Sequence, residues 1–351
     1  MRNLFFFALF ILFSCKQSTT ESCCNDQITA VQLLEAKHFR IVAEDGKQVL
    51  EIINPDSKKV VATLQPLKDN KNVIALSGTF IGMMDKLNLI DKVVGVSEIK
   101  YVYNPKVLSN FKANKVLECG YDSQMKFEEM IAMKPGLILH SGYNKEFPHQ
   151  KQFENVGIQC VPIYDWREET PLGKAEWIKV YGFLFGKLDE AIKLYDGIVE
   201  RYNAMKKEAS NLKPSALMMS GNMIGGEWCA PAGNSYMAQL MKDANITYGN
   251  YQTEGSGSVM TTQEDNLSKN RHAAYWINPG AKNLTDLLKQ NPKANLFDAF
   301  RNKQVYCYLN KDQFYWEESS IAPDKLLGDL IKIGHPEWKG IDEFYFYKRL
   351  E

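Results

Sequence analysis

Aromatic residues gather where the apolar runs of this sequence end. Ser77-Gly78-Thr79-Phe80 follows NVIAL, Tyr121-Asp122 follows VLECG, Ser141-Gly142-Tyr143 follows LILH, and Tyr164-Asp165-Trp166-Arg167 follows CVPI. Further on, Gly221-Asn222-Met223 leads to Glu227-Trp228, and Asn310 leads to Phe314-Tyr315-Trp316-Glu317. Rings bury much area for little loss of side-chain freedom, and their hydroxyl and indole tips hydrogen-bond a ligand's rim. The chemistry they suit is recognition of a large, flat or catecholate-rich molecule. Tyr143, Trp166, Trp228 and Trp316 lead the candidates, with Thr79, Tyr121 and Met223 next. Arg167 and Lys145 add cations that could pair with ligand carboxylates or an anionic metal complex. His140 and Tyr143 share one loop and are of types that ligate haem iron.

Catalysis has no comparable signal. The chain shows no nucleophile-base-orienter set and no G-x-S-x-G, and the GSG at 255 to 257 is too weak for a phosphate-cradling loop. There is no C-x-x-C and no H-E-x-x-H, and the five histidines are scattered, so no zinc site is advertised. Cys160 in IQCVPI and Cys307 in VYCYL sit inside apolar runs and read as buried thiols. With 42 Lys+Arg against 42 Asp+Glu, the chain lacks the basic footprint of a nucleic-acid binder.

The elements that must position these loops follow from periodicity. The 351 residues, 45% hydrophobic, suffice for two domains. HFRIVAEDGKQVLEIINPDSKKVVATLQPL alternates apolar and polar residues in three runs. Asp45-Gly46 and Asn54-Pro55-Asp56 punctuate them, which predicts a small antiparallel sheet. From NVIAL onward strand-like and helix-like runs alternate, the signature of an α/β layer with parallel strands. LDEAIKLYDGIVERYNAMKKEAS then places Leu188, Ala191, Ile192, Tyr195, Ile198, Val199, Tyr202 and Met205 at three- and four-residue intervals. This predicts one long amphipathic helix, about 33 Å in length. After Lys213-Pro214 the alternation restarts in SALMMSG, AAYWINPG and VYCYLN. The expected organisation is a signal peptide and lipidation site at 1–15, a tether at 16–36 and a β element at 37–68. Lobe one follows at 69–171, helices including the long one at 172–211, and lobe two at 212–351.

Two stretches share a phrase. FEEMIAMKPGLILHSG and QEDNLSKNRHAAYWINPG each open with a glutamate on a helix-like segment and end in an apolar strand-like run. Each is expected to occupy a matching place in its lobe.

The N-terminus reads MRNLFFFALFILFSCKQSTTES: one arginine, about ten apolar residues, then Ser14-Cys15 and a polar stretch. That is a secretory signal, too short for a membrane span of roughly twenty residues. Leu12-Phe13-Ser14-Cys15 resembles the bacterial lipobox, which implies cleavage before Cys15 and acylation of that cysteine. In related lipoproteins an acidic run after the cysteine directs surface export; none follows Cys15, which favours facing the periplasm.

The order signal, lobe, long helix, lobe resembles the solute-binding lipoproteins that feed ABC importers for ferric siderophores, haem and cobalamin. VIALSGTFIGMMDKLNLIDKVVGVS, FEEMIAMKPGLIL, LFDAFRNKQVYCYL and APDKLLGDLIKIGHPEW look like that family's motifs, though Gly136 replaces its usual aspartate. The resemblance implies two Rossmann-like lobes joined by a single long helix and a ligand in the cleft between them. It implies no enzymatic activity and no cofactor of the protein's own. The cargo would be an iron complex of the ferric-siderophore kind, or alternatively haem or a corrinoid; the rival readings from other classes are a metal-binding enzyme or carrier using His140, His272 and carboxylates, and a surface lipoprotein without a transport role. It further implies a monomer anchored to the membrane by lipid, docking on an ABC permease dimer through Glu128 in lobe one and Glu264 in lobe two. With one rigid strut between the lobes, closure is expected to be a few degrees of rocking.

Overall fold

The computed structural model describes residues 30–67, 71–121, 124–143, 146–308 and 314–351. The signal sequence, Cys15 and Lys145 lie outside the described residues.

Strands β1 (Phe39–Glu44), β2 (Lys47–Ile53) and β3 (Val60–Leu64) form the predicted antiparallel sheet. Asp45 and Gly46 both take positive φ, 47° and 71°, the geometry of a two-residue hairpin whose twist matches its strands. Phe39, Ile41, Leu50, Ile52 and Leu64 bury one face of this sheet in the main core.

Lobe one is a parallel sheet of β4 (Val73–Ala75), β5 (Val93–Val96), β6 (Leu117–Glu118), β7 (Leu137–Ser141) and β8 (Gln159–Ile163), in the order β6-β5-β4-β7-β8. Lobe two contains β9 (Leu217–Ser220), β10 (Asn222–Ile224), β11 (Glu227–Pro231), β12 (Thr247–Tyr248), β13 (Ser258–Thr261), β14 (Tyr275–Ile277), β15 (Val305–Tyr308) and β16 (Tyr347–Arg349). Its main sheet runs β12-β9-β14-β15-β16, parallel except for β16, while β10-β11-β13 form a separate antiparallel sheet. Helix Leu188–Ser210, 23 residues long, lies between the two lobes in the chain. It buries Ala191, Tyr195, Ile198, Tyr202 and Ala209, the stripe its periodicity predicts.

The shared phrase has a structural meaning. In lobe one it forms helix Phe127–Ala132 and then β7, which lies between the lobe's first strand β4 and β8. In lobe two it forms helix Gln263–Asn270 and then β14, which lies between β9 and β15. Glu128 and Glu264 therefore stand on corresponding helices.

The expected tether is too long at its C-terminal end. The fully buried Glu176 carboxylate accepts the backbone N–H groups of Leu34, Glu35 and Ala36 at 2.9, 2.8 and 2.8 Å, and the Lys179 ammonium at 2.6 Å. Glu168 accepts the N–H groups of Lys37 and His38 and the indole N–H of Trp177. Residues 34–36 are thus strapped to the helices instead of hanging free. These carboxylates lie 130 or more residues from the backbone they hold, where local pattern gives no sign of them. Among the described residues Cys119, Cys160, Cys229 and Cys307 are free thiols, and burial pushes Cys160 up to about 12. No described helix is long and apolar enough to cross a membrane.

Candidate ligand-binding cleft

Two adjoining chambers open where the strands end. The larger, about 1060 Å³, belongs to lobe one. Leu76, Ser97, Gly120 and Ser141, at or just beyond the carboxyl ends of β4, β5, β6 and β7, form its floor. Tyr121, Met125, His140, Tyr143 and Phe147 give it an aromatic and sulfur-bearing wall, with Glu98, Glu146 and His149 among the polar groups. The smaller, about 250 Å³, lies between the lobes: Ser77, Thr79, Asp165, Trp166 and Lys174 face Tyr236, Tyr315, Trp316, Ser319 and Ser320. Ser141 and Tyr143 line both chambers.

Local sequence explains how these side chains are presented. A Cβ on Gly142 would come within 2.2 Å of the Tyr164 ring, so only glycine lets the chain pass over that ring and turn Tyr143 outward. A Cβ on Gly82 would meet the Glu317 carbonyl oxygen at 1.7 Å, so helices Gly78–Lys86 and Tyr315–Glu318 touch backbone to backbone. That contact brings Trp316 of lobe two against lobe one. The Glu317 carboxylate extends the joint, accepting the N–H groups of Tyr103 and Asn104 at 2.7 and 3.2 Å. Burial pushes its carboxyl up to about 7.

Electrostatics are muted in the smaller chamber. Burial raises the Asp165 carboxyl, while Lys174 and the Thr79 hydroxyl oppose the shift. The Lys174 ammonium also lies 5.0 Å over the Tyr236 ring. In the larger chamber His140 is buried, and desolvation holds it down to about 4, so its imidazole is neutral near pH 7. Its Nδ1 is 3.2 Å from the Ser141 carbonyl oxygen, which only accepts, so the proton sits on Nδ1. Nε2 keeps a bare lone pair with no partner among the described residues, and the ring stacks on Phe147 at 4.2 Å.

The structure brings together five of the eight residues expected to touch ligand: Thr79, Tyr121, Tyr143, Trp166 and Trp316. The four rings among them are open, with Tyr143 64% and Trp316 51% exposed. The other three stand away from the chambers. Trp228 is 1% exposed, packed on Trp276 and Phe297, with its indole N–H donated to the Ser220 carbonyl. Met223, opposite Trp228 on β10, packs against the same cluster. β10 and β11 fold back as a sheet and carry both side chains inward. Arg167 lines neither chamber; its guanidinium pairs with Asp56 of the N-terminal sheet at 2.7 Å.

Sequence reading missed Lys174, Tyr236, Ser319 and Ser320. Tyr236 opens helix Tyr236–Asp243 just after its Ser235 cap, a position that a search of helix N-termini facing the strand ends would have flagged. Glu128 and Glu264 are both exposed and line neither chamber. Glu264 is in an ion pair with Lys293 at 2.6 Å, whereas Glu128 has no ion-pair partner among the described residues. No group of three or more His, Cys, Asp or Glu side chains among the described residues could hold a metal ion.

A lipoprotein of Methanocaldococcus jannaschii with no assigned activity is 26% identical over 286 residues, covering 79% of this chain and 68% of the relative. Among solved structures, a periplasmic heme binding protein from Pseudomonas aeruginosa superposes with a TM-score of 0.61 at 17% identity, covering 78% of this chain and 96% of that one. A TroA-like periplasmic binding protein from Veillonella parvula gives 0.59 at 17% identity, with coverages of 85% and 99%. These likenesses show the fold. The family model described as periplasmic binding protein matches residues 73–311, from β4 through β15, and the chain belongs to that family.

Proposed function

We propose that the protein captures a metal chelate, an iron complex of the ferric-siderophore kind, in the aromatic cleft and hands it to an ABC importer. The observation that carries this reading is the pair of chambers joined at Tyr143, too large together for an amino acid or a bare ion. Their volume suits a ligand at or beyond the usual range of roughly 300–1,000 Å³. The periplasmic heme binding protein that shares this fold supports the class of cargo. In this reading Cys15 carries the lipid anchor on the periplasmic side, and Glu128 and Glu264 meet the two permease subunits. Exposed carboxylates of this kind contribute orientation and association rate more than affinity.

Haem or a corrinoid is a second reading, favoured by His140. A neutral imidazole whose Nε2 has no partner among the described residues, in the chamber wall, is suited to a chelate with an open axial position.

The test is a tryptophan-fluorescence titration of the protein lacking residues 1–15. The probes are a ferric tris-catecholate, a ferric tris-hydroxamate, haemin and cyanocobalamin, with inner-filter correction. Trp166 and Trp316 are exposed, whereas Trp177, Trp228 and Trp276 are buried, so cleft binding should quench only part of the emission. Saturable quenching lost in Trp316→Ala is the expected result, with a visible-band shift sensitive to His140→Ala if haemin is the ligand. No saturable response to any probe would overturn the chelate reading.

A further inference from the structure

We infer that the turn between β2 and β3 belongs to the ligand site: Asn54 and Asp56 are positioning residues that hold Tyr143 and Trp166 in place. The N-terminal sheet thereby adds a specificity element to the family core. The inference rests on the cleft being the ligand site. The match to the family model begins at residue 73, so this turn precedes the segment that the model describes.

Two threads run from the turn to the cleft. In the first, the Asp56 carboxylate takes a two-pronged contact from Arg167, Nη2 to Oδ1 at 2.7 Å and Nη1 to Oδ2 at 3.3 Å. The guanidinium carbon lies 5.3 Å from the Trp166 ring, and that ring lies 5.5 Å from Tyr143. In the second, the Asn54 side-chain amide donates to the Tyr164 hydroxyl at 3.1 Å. The Tyr164 ring fills the space a Cβ of Gly142 would need, which fixes the backbone next to Tyr143.

The turn is itself well shaped for this task. Asn54 Oδ1 accepts the N–H groups of Asp56 and Ser57 at 3.0 and 2.9 Å, and Lys58 closes the bend at φ 57°. Beside it, Lys37 and His38 bond Glu168, so the segment after β8 is gripped from two sides.

Exposure gives the arrangement its functional meaning. Trp166 is 44% exposed, so core packing alone does not set its orientation, and the Arg167 beneath it does. A partly exposed ion pair adds little to global stability, so this one acts through orientation. It also removes Arg167 as a free cation, leaving an aromatic face suited to the flat or apolar side of a chelate.

The experiment follows Trp166 in a Trp316→Phe background, where it is the one strongly exposed indole among the described tryptophans. Acrylamide quenching, which is insensitive to protein charge, and fluorescence anisotropy are compared for Asp56, Asp56→Asn and Asp56→Glu. The expected result is greater quenching and lower anisotropy in Asp56→Asn, partial recovery in Asp56→Glu, and an unchanged Tm. With Trp316 intact, Asp56→Asn should weaken binding of whichever of the ferric tris-catecholate, the ferric tris-hydroxamate, haemin or cyanocobalamin the parent binds by about three- to tenfold, read by calorimetry. Unchanged Trp166 signals in Asp56→Asn would overturn the positioning role. Changed signals with unchanged affinity would overturn its part in recognition. A parent that binds none of the four probes would overturn the ligand role together with the cleft reading, while the Trp166 signals would still decide whether the turn sets the ring.

Discussion

Lobe one and lobe two arrange corresponding strands in corresponding order, and the ends of those strands meet different fates. Beyond β4 and β7 of lobe one lies a chamber of about 1060 Å³. Beyond β9 and β14 of lobe two lie packed rings: the Trp276 indole N–H donates to the Gly221 carbonyl at 2.9 Å, and Trp228 sits 5.4 Å from Trp276. The cause is in the connections. After β4 the chain enters helix Gly78–Lys86 within two residues, which leaves the strand ends open. After β9 it makes β10 and β11, joined later by β13, and this extra sheet folds Trp228 down over the strand ends. Lobe one supplies the floor of the site, and lobe two contributes a wall through Tyr236, Tyr315 and Trp316. Rings alone therefore do not make a binding surface; the route of the following chain decides whether they face a ligand or a core.

The sharpest test exchanges the expected roles of two aromatic residues. Trp228→Ala removes a fully buried indole and should cost about 3–5 kcal/mol of stability, measured by urea denaturation. Tyr143→Ala removes a ring that is 64% exposed and should leave stability nearly unchanged. The same variant should lose about tenfold or more in ligand affinity, since a ring at the junction of both chambers is an anchor. The asymmetry breaks if Trp228→Ala weakens binding while sparing stability, because lobe two would then be a recognition surface in its own right.

Next in size is an effect at the joint between the lobes. Glu317 belongs to lobe two but bonds the backbone of Tyr103 and Asn104 in lobe one, and burial lifts its carboxyl from an ordinary 4.5 to about 7. Asp85 and Glu318 add to the shift. A raised carboxyl means that the folded state holds its proton more tightly than the unfolded chain does. Its stabilising contribution is complete below about pH 4.5 and is lost as pH rises toward and through about 7. Glu168, raised to about 7, and Asp329, raised to about 6, act in the same direction. Glu317→Gln keeps an oxygen to accept an N–H and cannot ionise. It should flatten the fall in stability between pH 5 and 8 by on the order of 1–3 kcal/mol. Chemical denaturation across that range reads the slope; identical slopes in parent and variant would mean that Glu317 is not the titrating joint.

How much of this was legible in sequence depends on how far apart the deciding residues are. Helix Leu188–Ser210 was readable because its buried positions repeat every three or four residues. The Asp45-Gly46 hairpin was readable because two adjacent residues carry the turn chemistry. The cleft was readable as a set of loops, since aromatic clusters follow the strand runs. Trp228 and Trp316 were not separable: each is an indole in a polar-flanked segment. What buries Trp228 is its sheet position opposite Thr261, over thirty residues downstream. Arg167 looked free because its partner Asp56 is 111 residues away. The strap formed by Glu176 is longer still, and carboxylates that accept backbone N–H groups leave no pattern in the residues they hold.

The smallest expected effect concerns the outer faces of the lobes. Glu128 and Glu264 occupy the first turns of corresponding helices, yet among the described residues only Glu264 has an ion-pair partner, Lys293 at 2.6 Å. If both glutamates meet arginines on a permease, the lobe-two contact must first release Lys293, whereas the lobe-one carboxylate is ready. Glu128→Gln should therefore slow association with the permease in nanodiscs a few-fold, and Glu264→Gln should slow it less. Lys293→Ala should accelerate association and make the rate newly sensitive to Glu264→Gln. All three differences should shrink as salt rises from about 0.1 M, where the screening length is about 10 Å, because every charge involved is at the surface. Equal losses for the two glutamates, unmoved by Lys293→Ala, would mean that the lobes dock as electrostatic equals and that their asymmetry is confined to the cleft.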